Sequence, residues 1–148
     1  PGSRHGHACN KLGLVLGVHV YAHDLGYVLN NDSGMVTTRR PDSVRGPDVS
    51  YYSYARMPRG GPPVGYPANP PELVGEVLSP SDRWKQAVVK AGEYLDAGVT
   101  TVVVLDPDKR TAHVFEADRP PVVLNAEDVL RFESVLPGFE VVVGRLFE

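Results

Sequence analysis

Cysteine is almost absent from this chain of 148 residues. Cys9 stands alone, which reads as excluding an internal disulfide and a cysteine-based zinc site, and fits a reducing cytoplasm. No apolar run approaches the roughly 18 residues that a membrane-spanning helix needs. An excess of positive charge is also lacking: 15 basic residues face 18 acidic ones, for a net charge of −3. A protein that relied on phosphate neutralisation for affinity would usually be basic, so any contact with nucleic acid must run through a local patch, a metal or a partner. The glycine-rich loops that cradle phosphates are missing, and Ser79 has no nucleophile-elbow context, which argues against acyl transfer. The start, Pro1-Gly2-Ser3-Arg4-His5, carries neither an initiator Met nor a signal-peptide pattern, as expected of a trimmed or partial N-terminus.

What is present reads as one α/β domain. Leu12, Val15, Leu16, His19 and Val20 recur at helical spacing and predict a first helix from about His7 to Asp24, stopped by Leu25-Gly26. Short strands are expected at Tyr27 to Asn30 and Met35 to Arg39, joined by an Asn31-Asp32-Ser33-Gly34 turn and followed by a loop, Arg40 to Ser43. A third strand spans Asp48 to Tyr52. Pro58 to Pro71 is too rich in proline and glycine for a regular element. Leu73 to Leu78 is a compact strand. Ser81 or Asp82 should cap a helix that runs to about Ala97 and ends at Gly98. The β-branched run Thr100 to Leu105 suits a central strand. A turn, Asp106 to Lys109, joins it to a strand at Ala112 to Glu116, and Pro121 to Leu124 follows. The tail through Leu136-Pro137-Gly138-Phe139 ends in Leu146-Phe147, which should dock on the core. The strand–helix–strand unit from 73 to 105 implies a crossover within a mixed sheet.

Two acidic residues stand out in this frame. Asp48 follows a proline at the start of a strand. Alternation in the 73–78 strand puts Val74, Glu76 and Leu78 on one face, so Glu76 is flanked by apolar side chains. A buried, unpaired carboxylate is costly and has a raised pKa, and a cation removes that penalty. Two carboxylates with water and a substrate phosphate suit Mg2+ or Mn2+. The plainer alternative is a solvated Asp48 and a Glu76 in a structural ion pair. On the following helix, Trp84, Ala87, Val88, Ala91 and Leu95 form an apolar stripe with Lys90 and Tyr94 on its flank. Lys90 can reach back along that surface towards the carboxylates, or pair with Glu93 or Asp96 instead. Gly92, worth about 1 kcal/mol less than alanine in a helix, suggests close packing there.

Other residues carry weaker signals. His19 and His23 have zinc-ligand spacing but lack the accompanying glutamate, and more often such a pair is helix surface. Arg39, Arg40 and Arg45, with Arg56 and Arg59 beyond, could hold a nucleic-acid backbone or be solvated loop. Tyr51, Tyr52 and Tyr54 could stack on bases or pack internally.

The chain resembles the bacterial putative restriction endonuclease family (Uma-type), a branch of the PD-(D/E)XK nucleases. The resemblance spans nearly the whole chain. It rests on His5-Gly6 ahead of the first helix, Pro47-Asp48-Val49, Glu76-Val77-Leu78-Ser79-Pro80-Ser81-Asp82, Lys90 with Tyr94, Ala97-Gly98-Val99, Val104-Leu105-Asp106-Pro107 and Leu136-Pro137-Gly138-Phe139. It implies a restriction-endonuclease-like mixed sheet flanked by two main helices. It further implies Asp48 and Glu76 as ligands of Mg2+ or Mn2+, and Lys90 as the superfamily's lysine moved from the strand, where Leu78 now stands, onto the helix. His5 and Tyr94 would be accessory. The family usually carries an upstream strand pair, which this chain would lack. The expected activity is Mg2+-dependent hydrolysis of DNA by a homodimer; the alternative is a catalytically silent nucleic-acid-binding or protein-interaction module on the same fold.

Overall fold

The computed structural model describes residues 2–30, 33–38 and 43–148; the expected turn at Asn31-Asp32 and the loop at Arg40 to Asp42 fall outside them. A long helix, α1 (Ser3–Ala22), leads into β1 (Gly26–Asn30), the small hairpin of β2 (Met35–Thr38) and β3 (Ser43–Arg45), and β4 (Val49–Ser53). After an irregular proline-rich segment come β5 (Leu73–Val77), α2 (Trp84–Asp96), β6 (Thr101–Asp106), β7 (Thr111–Glu116) and β8 (Val122–Leu124). A second hairpin, β9 (Val129–Phe132) and β10 (Leu136–Val142), and a 3-10 turn at Val143–Phe147 complete the chain.

Among the described residues, six strands form one sheet in the order β1-β4-β5-β6-β7-β8. Only β5 and β6 run parallel, joined by α2 as the crossover; all other neighbours are antiparallel. The fold is thus α/β, as expected, with a mostly antiparallel sheet between two helices. Alternation along β5 and β6 splits the core. Leu73, Val77, Val103 and Leu105 pack with Leu12 and Leu16 of α1, and with the β9–β10 hairpin and the terminal turn. Val74, Val102 and Val104 face Ala91 and Tyr94 of α2 together with Met35. Leu146 is fully buried, so the tail docks as expected.

Several boundaries differ from the sequence reading, each for a local reason. The first helix begins at Ser3 and ends at Ala22, so His5 and Gly6 lie inside it rather than ahead of it. Gly26 is not its stop but a strand residue pressed against the Tyr52 carbonyl, where any Cβ would overlap that oxygen. Asp82 does not cap α2: its Oδ2 accepts the Ser79 N–H at 2.8 Å and the Ser79 hydroxyl at 2.9 Å, closing a turn just before the helix. The helix therefore starts at Trp84 with extended Arg83 as its uncapped N-cap. Its end is as read: Gly98 takes φ +106°, the left-handed conformation that follows a helix C-terminus. The β9–β10 hairpin was not foreseen. Gly92 is not a close-packing site, for a Cβ there would meet nothing within 4 Å.

These two glycines give opposite expectations in urea unfolding. Gly26→Ala should destabilise the protein by about 1–3 kcal/mol through overpacking against backbone. Gly92→Ala should stabilise it by about 0.5–1 kcal/mol through helix propensity. A neutral Gly26→Ala would contradict the β1–β4 register.

Candidate functional site

The register of β4 and β5 builds the site. Val49 pairs with Gly75, so Asp48, one residue before the strand, lies across from Glu76. Pro47 and the bend at Asp48 end the backbone ladder there, and the Asp48 carboxylate replaces it: Oδ2 accepts the Val77 N–H at 2.8 Å. A side chain thus does the work of the missing carbonyl, which fixes the carboxylate over the strand end.

Each helix then contributes from its own side. Gly75 lets α1 approach β5 so closely that a Cβ would sit 2.5 Å from the Leu12 side chain. That approach brings the first turns of α1 over Asp48, where His5 Nε2 lies 3.4 Å from Oδ2. On the opposite face, Tyr94 of α2 donates its hydroxyl to Glu76 Oε1 at 2.6 Å, and Lys90 Nζ lies 3.2 Å from the same oxygen. Tyr94 was expected on the flank of the α2 stripe but is completely buried at its centre, while Trp84 and Val88 are exposed. The stripe is rotated because Tyr94 is the residue that fills the space above Glu76. A cavity of about 80 Å3 adjoins this place, lined by Glu76, Leu78, Gln86, Lys90 and Val104. Leu78 packs on the α2 side of the core.

The charges do not balance. Both carboxylates are largely shielded from solvent, and Lys90 is half-buried. Burial pushes the Glu76 carboxyl up to about 7; Lys90 opposes this, and Asp48 adds to it through its charge and as a hydrogen-bond partner. Burial, with Asp48 and Glu76, likewise pushes the Cys9 thiol up to about 12, and burial raises Tyr94 too. The donors that reach the pair converge on Glu76 Oε1 and Asp48 Oδ2. When both acids are ionised, no hydrogen bond from a described residue is made to Glu76 Oε2 or Asp48 Oδ1; when Glu76 is protonated, the two carboxyls hydrogen-bond to each other. Two oxygens on facing acids, in a partly buried place and without donors, fit a hard cation that takes oxygen ligands.

His5, Asp48, Glu76, Lys90 and Tyr94 are therefore brought together. Arg45, Arg56 and Arg59 are not. Arg45 lies on β3 and spends both Nε and Nη2 on Glu93 Oε2, at 3.0 and 2.7 Å. Arg39 and Arg40 lie outside the described residues. Arg56 ties loop to core through the carbonyls of Pro70, Pro71 and Gly98, and Arg59 pairs with Asp24. Tyr51 and Tyr52 are buried packing residues. The His19 and His23 rings touch at a tilt, and His23 Nδ1 bonds the His19 carbonyl, a packed pair rather than a metal clasp. Cys9 is the neighbour that sequence reasoning missed; its one signal was the four-residue spacing from His5.

The raised Glu76 carboxyl has a stability consequence. The folded state holds this proton more tightly than the unfolded chain, whose carboxyl titrates near the ordinary 4.5. The stability it contributes is complete below about pH 4.5 and is lost as pH rises through about 7. In chelator, Glu76→Gln should therefore gain on the native protein by up to about 3 kcal/mol between about pH 4.5 and about pH 8, measured by denaturant unfolding. A difference independent of pH would show that Glu76 is not buried against Asp48.

The family model described as "Putative restriction endonuclease" (Uma2) matches residues 1–144. A crystal structure titled as a putative nuclease belonging to DUF820, from Anabaena variabilis ATCC 29413, superposes with a TM-score of 0.86 at 18% identity, covering 99% of this chain and 82% of that one. At that identity the likeness is one of fold. No curated protein matches the sequence. The family model spans every element that builds the site, and the chain belongs to the Uma2 putative restriction endonuclease family.

Proposed function

We propose that this protein is a Mg2+- or Mn2+-dependent endonuclease that hydrolyses phosphodiester bonds of DNA. The observation that carries the reading is the pair of oxygens, Glu76 Oε2 and Asp48 Oδ1, donor-free when both acids are ionised, on acids that face each other beside a half-buried lysine. Asp48 and Glu76 would hold the ion. When bound, such an ion lowers the pKa of its water and polarises the phosphoryl oxygen.

The surrounding side chains have definite parts in this reading. Tyr94 holds Oε1 of Glu76 and so orients the carboxylate towards Asp48. His5 and the Val77 N–H do the same for Asp48. Lys90, already 3.2 Å from Glu76, carries an ammonium close enough to turn onto a phosphate oxygen or a nucleophilic water, where it offsets developing negative charge. Arg45 would have to release Glu93 before touching a DNA backbone, so it is a secondary contact. Because the chain is acidic overall, attraction for phosphate would come from the metal and Lys90 rather than from a basic surface. Cutting both strands of a duplex calls for two such sites, which a homodimer would supply.

Nicking of supercoiled plasmid, with Mg2+ or Mn2+ against chelator, tests the reading. Asp48→Ala and Glu76→Ala should abolish nicking. Lys90→Met should slow it about 100-fold, the scale of one lost electrostatic contact in a transition state. Metal-independent nicking, or full activity in Asp48→Ala, would overturn it; metal binding with no cleavage of any DNA would favour a silent binding module.

A further inference from the structure

His5 and Cys9 stand one turn apart on α1, and Asp48 meets them from the start of β4. Within this group, His5 Nε2 lies 3.4 Å from Asp48 Oδ2. The Cys9 sulfur lies 3.8 Å from the same nitrogen and 3.7 Å from Nδ1. One ligand atom from each of the three residues can be chosen so that all lie within 4.8 Å of one another, and all three residues are partly buried. A tetrahedral zinc centre has bonds of about 2.0–2.1 Å to imidazole nitrogen, about 2.0–2.2 Å to carboxylate oxygen and about 2.3 Å to sulfur; its neighbouring ligand atoms therefore stand about 3.3–3.7 Å apart. The nitrogen–oxygen separation falls inside that window; the sulfur, nearly equidistant from the two ring nitrogens, sits beside the ring rather than along the Nε2 lone pair, so the imidazole turns about its side-chain bonds for Nε2 and the thiolate to share one ion.

We propose that His5, Cys9 and Asp48 form a second metal site, for a borderline-soft transition ion of the zinc type. A thiolate and an imidazole select Zn2+ or Co2+ over Mg2+, whereas the Asp48–Glu76 position, all oxygen, selects a hard cation. The lone cysteine reads in the sequence as excluding a cysteine-based zinc site; here a single thiol supplies one ligand beside an imidazole and a carboxylate. The thiol proton leaves to solvent as the sulfur–metal bond forms. Three protein ligands leave one tetrahedral position open for water or another oxygen ligand. Access is through a groove of about 480 Å3 bordered by His5, Cys9, Asn10, Leu29 and Asp48. Asp48 belongs to both positions, so an ion held by Cys9 bears directly on how Asp48 serves the other.

The site stands whether or not the protein cleaves DNA, and spectroscopy separates the two questions. Full-length protein stripped with chelator is titrated with Co2+ and then with Zn2+. The expected result is a near-ultraviolet thiolate-to-cobalt charge-transfer band that saturates at one equivalent and is bleached by Zn2+. Cys9→Ser should lose the band, and His5→Ala should lose it too. Each should weaken Zn2+ binding by more than the roughly 10- to 100-fold that second-shell changes cost, with an unchanged far-ultraviolet circular dichroism spectrum in chelator. Glu76→Gln, which removes the proposed hard-cation position, should keep the band. Absence of the band in the native protein, or native Zn2+ affinity in Cys9→Ser, would overturn the site and assign the ion to the carboxylates alone.

Discussion

The carboxylate of Asp48 has a structural task and, in the proposed reading, a chemical one, and the rest of the site depends on both being met by the same group. One oxygen closes the β4–β5 ladder by accepting the Val77 N–H at 2.8 Å. That bond sets Asp48 opposite Glu76 and, when both acids are ionised, leaves its second oxygen without a donor among the described residues. Two carboxylates forced together in a partly buried place repel, and the protein relieves only part of that repulsion. Lys90 and Tyr94 both act on Glu76 Oε1. The Glu76 carboxyl still titrates near 7, which means that the metal-free fold tolerates one negative charge here more readily than two.

The sheet makes this arrangement possible because its two faces are covered by different helices. Gly75 admits α1 closely on one side, and that approach carries His5 and Cys9 to Asp48. On the other side, the α2 crossover places Tyr94 and Lys90 over Glu76. The site is therefore assembled at the end of two adjacent strands, from one helix on each face. No element contributes more than two of its side chains. Displacing either helix would separate donors from acceptors without touching the acids themselves.

Much of this was legible in the sequence. The β-branched run at 101–105, the apolar flanks of Glu76 and the glycine at 98 specify β5, α2 and β6 through local chemistry alone. The reach of Lys90 followed from its helical position. Other parts depend on contacts between distant segments. That Asp48 faces Glu76 is a matter of register, which no local pattern encodes. The burial of Tyr94 follows from the space above Glu76, so counting the apolar stripe pointed to Trp84 and Val88 instead. The β9–β10 hairpin was hidden because Pro137-Gly138 sits at a break in its register and reads as a turn. The first turn of α1 has no capping side chain and no acidic residue, so nothing local marked its start at Ser3. With that start misplaced, the i,i+4 relation of His5 and Cys9 on one helix went unread.

The central claim is that the donor-free oxygens of Asp48 and Glu76 hold a divalent cation. Crystals grown with Mn2+ test it directly, through anomalous difference density recorded near the manganese edge. The account predicts a peak between the two carboxylates, within about 2.0–2.6 Å of an oxygen from each, the range of such ligands around hard cations. A map with no peak there at saturating Mn2+, and with Asp48 and Glu76 unmoved, would contradict it.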